Sequence, residues 1–263
     1  MSIHPSSLID PKAILGKNVK IGAFCVVGPN VILGDNVEIK SHIVIEGFTS
    51  IGDDTIIYPF ASIGTAPQDL KYASEPSQVI IGKKNIIREY VTIQPGTTGG
   101  GMKTIIGDNN LFMIGTHIAH DCKVGSNCIF ANNATLAGHV VIGDGAVLGG
   151  LAAVRQYVRI GAGAMIGGVT AVVQDVLPYA TVVGERAMID GVNVIGMKRK
   201  GFDLKEIQSV QNVVDMLFDR VEGTMSERIV TLREEYAEDK AANMILDFVE
   251  SQTSKLGYCE PRN

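Results

Sequence analysis

Three of the chain's five histidines, His117, His120 and His139, fall within one short stretch, and Asp121 directly follows His120. Imidazole changes charge near neutral pH, so such a group can move protons; three imidazoles can equally converge on a metal ion. The plainer alternative is a set of solvated turn histidines. A basic run, Lys198-Arg199-Lys200, with Arg186 and Lys205 nearby, is either an anion-binding patch or a solvated basic turn. The four cysteines, Cys25, Cys122, Cys128 and Cys259, form no C-x-x-C pair and no zinc-ligand spacing, as expected of free thiols in a reducing compartment.

The elements that must position these groups are visible as a repeat. An apolar residue recurs at every sixth position from Ile9 through Leu15, Ile21, Val27 and onward to Ile63 without a miss. The period resumes at Ile81, Ile87 and Ile93, and again from Ile106 through Ile118, Phe130 and Leu148 to Val172. Six matches neither the 3.6 of an α-helix nor a long strand, but it suits a short strand followed by a corner. Four places after each large residue the side chain is small or β-branched, as at Cys25, Ala61, Thr116, Cys122, Cys128 and Ala146. One large and one small inward slot per hexad describe a narrow, filled interior, which makes these cysteines packing residues rather than nucleophiles. With 30 glycines and no Trp, bulky side chains are kept out of most of the structure.

The repeat breaks twice, at residues 65–79 and 94–103, and both breaks read as loops thrown out of the coil. Across the second the register shifts by one residue. The repeat stops near Pro178, and apolar residues then take helical spacing: Ile207, Val210, Val214, Leu217 and Val221, followed by Ile229, Leu232 and Tyr236, then Met244, Ile245, Phe248 and Val249. The expected organisation is a β-coil over 1–184 carrying the two loops, and a transition segment with a small helical domain over 185–263. A net charge of −5 argues against a general nucleic-acid binder. No apolar run approaches a membrane span, and Met1-Ser2-Ile3-His4-Pro5 lacks the basic and apolar regions of a secretory signal, so a cytoplasmic protein is expected.

The hexads resemble the hexapeptide-repeat family, whose members form a left-handed parallel β-helix of three hexads per coil; residues eighteen apart would then stack about 4.8 Å apart. His120 and His139 would lie on adjacent coils at one edge. Within that family, His117-Ile118-Ala119-His120-Asp121 and Ala131-Asn132-Asn133-Ala134-Thr135-Leu136-Ala137-Gly138-His139 resemble the UDP-N-acetylglucosamine O-acyltransferases of lipid A synthesis. So do Gln68-Asp69-Leu70-Lys71-Tyr72, Ile87-Arg88-Glu89-Tyr90-Val91-Thr92-Ile93 and Gly191-Val192-Asn193 leading into Lys198-Arg199. The resemblance spans essentially the whole chain. It implies transfer of a 3-hydroxyacyl group of about fourteen carbons from acyl carrier protein to the sugar 3-hydroxyl, by a homotrimer with its sites between subunits and with neither metal nor cofactor. His120 would be the general base, Asp121 its orienting partner, and the Gly138 N–H the oxyanion donor. Asp69, Lys71, His117, His139 and Gln156 would contact sugar-nucleotide or acyl chain, and Asn193 and Arg199 the nucleotide end. Gly168 would set acyl length, or is simply one more turn glycine, and the basic run would meet carrier protein and pyrophosphate.

Four positions depart from the family pattern: Gln94, Arg155 and Arg186 stand where histidines are usual, and Ile195 where an acid is usual. Each is expected to touch substrate, which leaves the reaction type intact but opens the choice between a 3-hydroxyl and a 3-amine acceptor. Three other readings compete. A zinc hydratase like the γ-carbonic anhydrases would use His117, His120 and His139 as ligands, though their spacing differs from that family's. A purely structural or ice-binding β-helix would show Thr rows on a flat face. The related N-acyltransferase has an additional N-terminal domain, whereas here the hexads begin near residue 8.

Overall fold

A computed structural model describes residues 1–219, 223–251 and 256–262. The hexads form strands mostly two residues long that wind into three sheets of eleven, nine and eight strands. Partner strands are parallel and eighteen residues apart, as in Lys20 with Glu38 and Ile129 with Val147, so each coil of three hexads lies on the next. The result is the expected left-handed parallel β-helix. Successive coils are joined by backbone hydrogen bonds such as Val26 N to Ile43 O at 2.8 Å and Ile129 N to Ala146 O at 3.0 Å.

The two inward slots fill the prism. The large slot holds Ile21, Leu33, Ile57, Ile93, Ile118 and Leu136, and the small one Cys25, Ala61, Thr116, Cys122, Cys128 and Ala146, all buried. Burial pushes the Cys122 and Cys259 thiols up to about 12 and the Cys128 thiol up to about 11, which leaves them neutral and poorly nucleophilic. Phe112 and Phe130 stack on successive coils with ring centroids 4.9 Å apart.

Each coil turns three corners: the first between the eleven- and nine-stranded faces, the second between the nine- and eight-stranded faces, the third back to the start. Both loops leave the second corner. Ser62 pairs with Thr92, and Gln78 with Lys103, so twelve and seven residues beyond the repeat are extruded there. The eleven-stranded sheet runs past residue 184, because Ala180–Val183 pairs antiparallel with Met188–Val192. Four helices follow: α1 (Val194–Arg199), α2 (Leu204–Phe218), α3 (Met225–Glu235) and α4 (Lys240–Glu250). Capping boxes start α2 at Asp203 with Glu206, and α3 at Thr224 with Glu227. Ile207, Val210, Val214 and Leu217 form the buried face of α2; Val221 lies outside the described residues. Arg159 docks the helices on the last coil: its Nε donates to Asp175 Oδ2 at 2.8 Å, and its guanidinium lies 4.3 Å from the Phe248 ring centroid. Among the described residues no helix is long and apolar enough to cross a membrane.

A filled interior has a measurable consequence. Phe112→Ala is expected to lose about 3–5 kcal/mol in denaturant unfolding; a loss below about 1 kcal/mol would mean that the coil centre is not close-packed.

Candidate active site

His120, Asp121, Gly138, His139 and Gln156 all lie on the second corner, spread over three successive coils. On these three coils the corner takes a left-handed residue: Asp121 (φ 61°), His139 (φ 63°) and Tyr157 (φ 67°). Their spacing of eighteen stacks them directly. The His139 and Tyr157 rings lie parallel with centroids 4.4 Å apart, and His120 meets His139 edge-on at 5.0 Å.

Asp121 has a fully buried side chain, and its Oδ2 lies 2.9 Å from His120 Nδ1. The same carboxylate accepts from the Thr97 N–H at 2.9 and 3.1 Å and from the Thr97 hydroxyl at 2.6 Å. A carboxylate already supplied with donors has no proton to give. The His120 Nδ1 is therefore the donor toward Asp121, and Nε2 carries the free lone pair. Gly138 lies against the other edge of that ring, where a Cβ would collide with Cε1 and Nε2. Its N–H has no acceptor among the described residues.

His117 projects from the nine-stranded face, its Nδ1 2.6 Å from the hydroxyl of Thr92 on the neighbouring strand. Burial, and after it the charge of His120, pushes its pKa down. Burial likewise lowers that of His139, opposed by the negative charges of Asp121 and Asp69. Asp69 and Lys71 sit in the first loop, where Asp69 Oδ1 accepts the Lys71 N–H at 3.0 Å, and Glu75 of the same loop accepts the Thr98 N–H of the second loop at 3.1 Å. Gln156 stands one coil above Gly138, next to the exposed Arg155.

Three candidates lie elsewhere on the same chain. Gly168 is on the first corner. Asn193 caps α1 by accepting from Gly196 N and donates to Gly163 O on the third corner, and Arg199 is exposed on that helix. One chain alone does not bring them to the imidazole. Gln94 is buried like His120, and its Oε1 accepts the Gln68 N–H at 3.1 Å at the root of the first loop. Thr92, Thr97 and Tyr157 were not singled out from the sequence. Tyr157 was legible by adding eighteen to His139, but Thr97 sits in a loop without register.

Among the described residues the side chains grouped closely enough to hold a cation are His120, Asp121 and His139, whose ligand atoms lie within 4.8 Å of one another; His117, part of the histidine trio read from the sequence, is not in that group. A cation there would compete for Asp121 with the Thr97 and His120 protons.

Acid should weaken this corner. His117 and His139 bind a proton less readily folded than unfolded, so their contribution to stability is complete above the ordinary value of 6.5 and is lost as pH falls through the lower folded values. Urea unfolding should show stability falling as pH drops below 6.5, and His117→Gln should shrink that fall; an unchanged slope would disprove the assignment.

With this geometry in hand, the chain's relatives can be placed. Residues 175–259 match the family profile described as UDP N-acetylglucosamine O-acyltransferase, domain 2, and residues 12–47 and 103–138 match the bacterial transferase hexapeptide family. The acyl-[acyl-carrier-protein]–UDP-N-acetylglucosamine O-acyltransferase of Rickettsia canadensis is 56% identical over 258 residues, which cover 98% of this chain and 97% of that one. A crystal structure of a UDP-N-acetylglucosamine acyltransferase superposes with a TM-score of 0.95 at 42% identity, over 100% of both chains. The UDP-N-acetylglucosamine acyltransferase of Campylobacter jejuni gives 0.91 at 40%, over 99% of this chain and 100% of that one. A β-helix with these relatives over almost its full length belongs to the acyl-[acyl-carrier-protein]–UDP-N-acetylglucosamine O-acyltransferase family.

Proposed function

We propose that this chain is the acyltransferase that moves a 3-hydroxyacyl group from acyl carrier protein to the 3-hydroxyl of UDP-N-acetylglucosamine, the first step of lipid A biosynthesis. The observation that carries the mechanism is His120 held between Asp121 at Nδ1 and Gly138 at its Nε2 edge. Nε2 takes the proton of the sugar hydroxyl as its oxygen attacks the thioester carbonyl. Asp121 stabilises the imidazolium that forms, and the Gly138 N–H donates to the developing oxyanion. Collapse of the tetrahedral intermediate breaks the C–S bond, and the imidazolium returns its proton to the departing carrier-protein thiolate. His117 and His139, kept neutral by burial, can donate to or accept from neutral sugar groups without adding charge, and Lys71 supplies a cation beside them.

A homotrimer accounts for what a single chain leaves unfinished. Gly168, Asn193 and Arg199 belong to other corners, and a neighbouring subunit would bring them against the histidine corner. The first corner of the lone prism also exposes a ladder of large apolar residues: Phe24 (59%), Phe60 (48%), Tyr90 (58%), Leu151 (60%) and Val169 (70%). Burying such a stripe favours association. Gly168 lies on that corner, where a missing side chain leaves room for an acyl tail of about fourteen carbons from the adjacent site. Arg155 and the basic residues of α1 offer positive charge to phosphate and to the acidic carrier protein. The described cysteines are all free, which fits a reducing cytoplasm.

Light scattering should return three times the 28.0 kDa chain mass, and a monomer would rule out the shared site. His120→Ala should lower kcat by at least about 10³ with the fold intact; an active variant would refute the base. Gly138→Ala, which pushes the ring from its seat, should cost about 10² in kcat. Offered UDP-N-acetylglucosamine and its 3-amino analogue with donors of several lengths, the enzyme should prefer the hydroxyl and yield a base-labile ester; a preferred amide product would reassign the acceptor.

A further inference from the structure

The seven extra residues of the second loop make no strand ladder of their own, yet they are packed around the one carboxylate that touches the base. Thr97, itself buried, sends both its N–H and its hydroxyl to Asp121, and its carbonyl takes the N–H groups of Gly100 and Met102 at 3.1 and 3.0 Å, closing the loop into a tight turn. A Cβ at Gly100 would overlap the Asp121 carboxylate, and one at Gly96 would lie 2.8 Å from Oδ1. Only glycine at those places lets the loop close over Asp121. From below, the Asp121 N–H is held by Thr104 Oγ1 at 2.9 Å.

This enclosure resolves a competition. Asp121 Oδ2 faces two imidazoles, lying 2.9 Å from His120 Nδ1 and 3.9 Å from His139 Nδ1. The carboxylate thus has a second imidazole nitrogen about 1 Å farther off than the one it bonds. Nothing in the histidines themselves dictates the choice. We propose that Thr97 is a positioning residue that clamps the Asp121 carboxylate onto His120 and away from His139, and so selects which histidine acts as base. The loop is in turn tied to the substrate-side loop: Thr98 N donates to Glu75 Oε1 at 3.1 Å, and the Ala73 N–H donates to Glu75 Oε2 at 2.8 Å. The segment bearing Asp69 and Lys71 is thereby held in register with the base. The proposal deepens the acyl-transfer reading and rests on it for its kinetic consequences alone.

Thr97→Val keeps the branched shape and removes the hydroxyl donor; Thr97→Ser keeps the donor. The valine variant should lose about tenfold to a hundredfold in kcat, with KM for UDP-N-acetylglucosamine within about twofold of the parent. Its acid limb of kcat/KM should move to higher pH, because a carboxylate short of a donor holds the imidazolium proton harder. Thr97→Ser should restore both. Independently of any substrate, the downfield proton resonance assigned to the His120 ring by its loss in His120→Gln should shift in Thr97→Val and return in Thr97→Ser. A folded Thr97→Val protein with parental kcat and pH profile, or with an unmoved resonance, overturns the clamp. Should the parent itself transfer no acyl group, the acyl-transfer reading falls, and the resonance alone still decides the clamp.

Discussion

Everything in this molecule depends on one stacking constraint. Each short strand satisfies its N–H and C=O groups only on the coils immediately above and below, so a residue is held by partners eighteen positions away rather than by its neighbours in sequence. The interior can then be one large and one small side chain per hexad, packed as Phe112 is on Phe130. A loop can be extruded only if the chain re-enters at the same register. Both loops obey this, with Ser62 still opposite Thr92 and Gln78 opposite Lys103.

The same constraint sets what each corner can carry. Most turns take a left-handed residue, which Asn and Asp tolerate better than most side chains. On the third corner the chain uses Asn18, Asn36, Asn109 and Asn127, and their amides link successive coils, as in Asn18 to Asn36 at 3.1 Å. The second corner places Asp121, His139 and Tyr157 in those strained positions instead. Stability is exchanged there for a vertical row of reactive and aromatic groups, on a scaffold whose neighbouring coils hold them in place. The first corner takes Phe24, Phe60, Tyr90, Leu151 and Val169 in the same conformation, at comparable cost, and these side chains face outward.

Against that rigid column the two loops are the adjustable parts. Gln94 is informative here, since it stands where a family histidine is usual and yet serves the scaffold by holding Gln68. Arg155, by contrast, is exposed beside Gln156.

The six-residue period alone carried the coil, the inward slots and the breaks where loops leave, and the family resemblance, with three hexads per coil, put His120 and His139 on adjacent coils at one edge. These follow because register in a coil is arithmetic, and each hexad meets the same surroundings. The helical tail was legible for a similar reason, in the spacing of Ile207, Val210, Val214 and Leu217. Only the tertiary structure decided that Asp121 bonds His120 and not His139, that Thr97 supplies its donors, that Gly138 seats the His120 ring, and that Gly168, Asn193 and Arg199 stand on other corners. Those outcomes depend on loop closure and side-chain rotation, whose partners no repeat specifies.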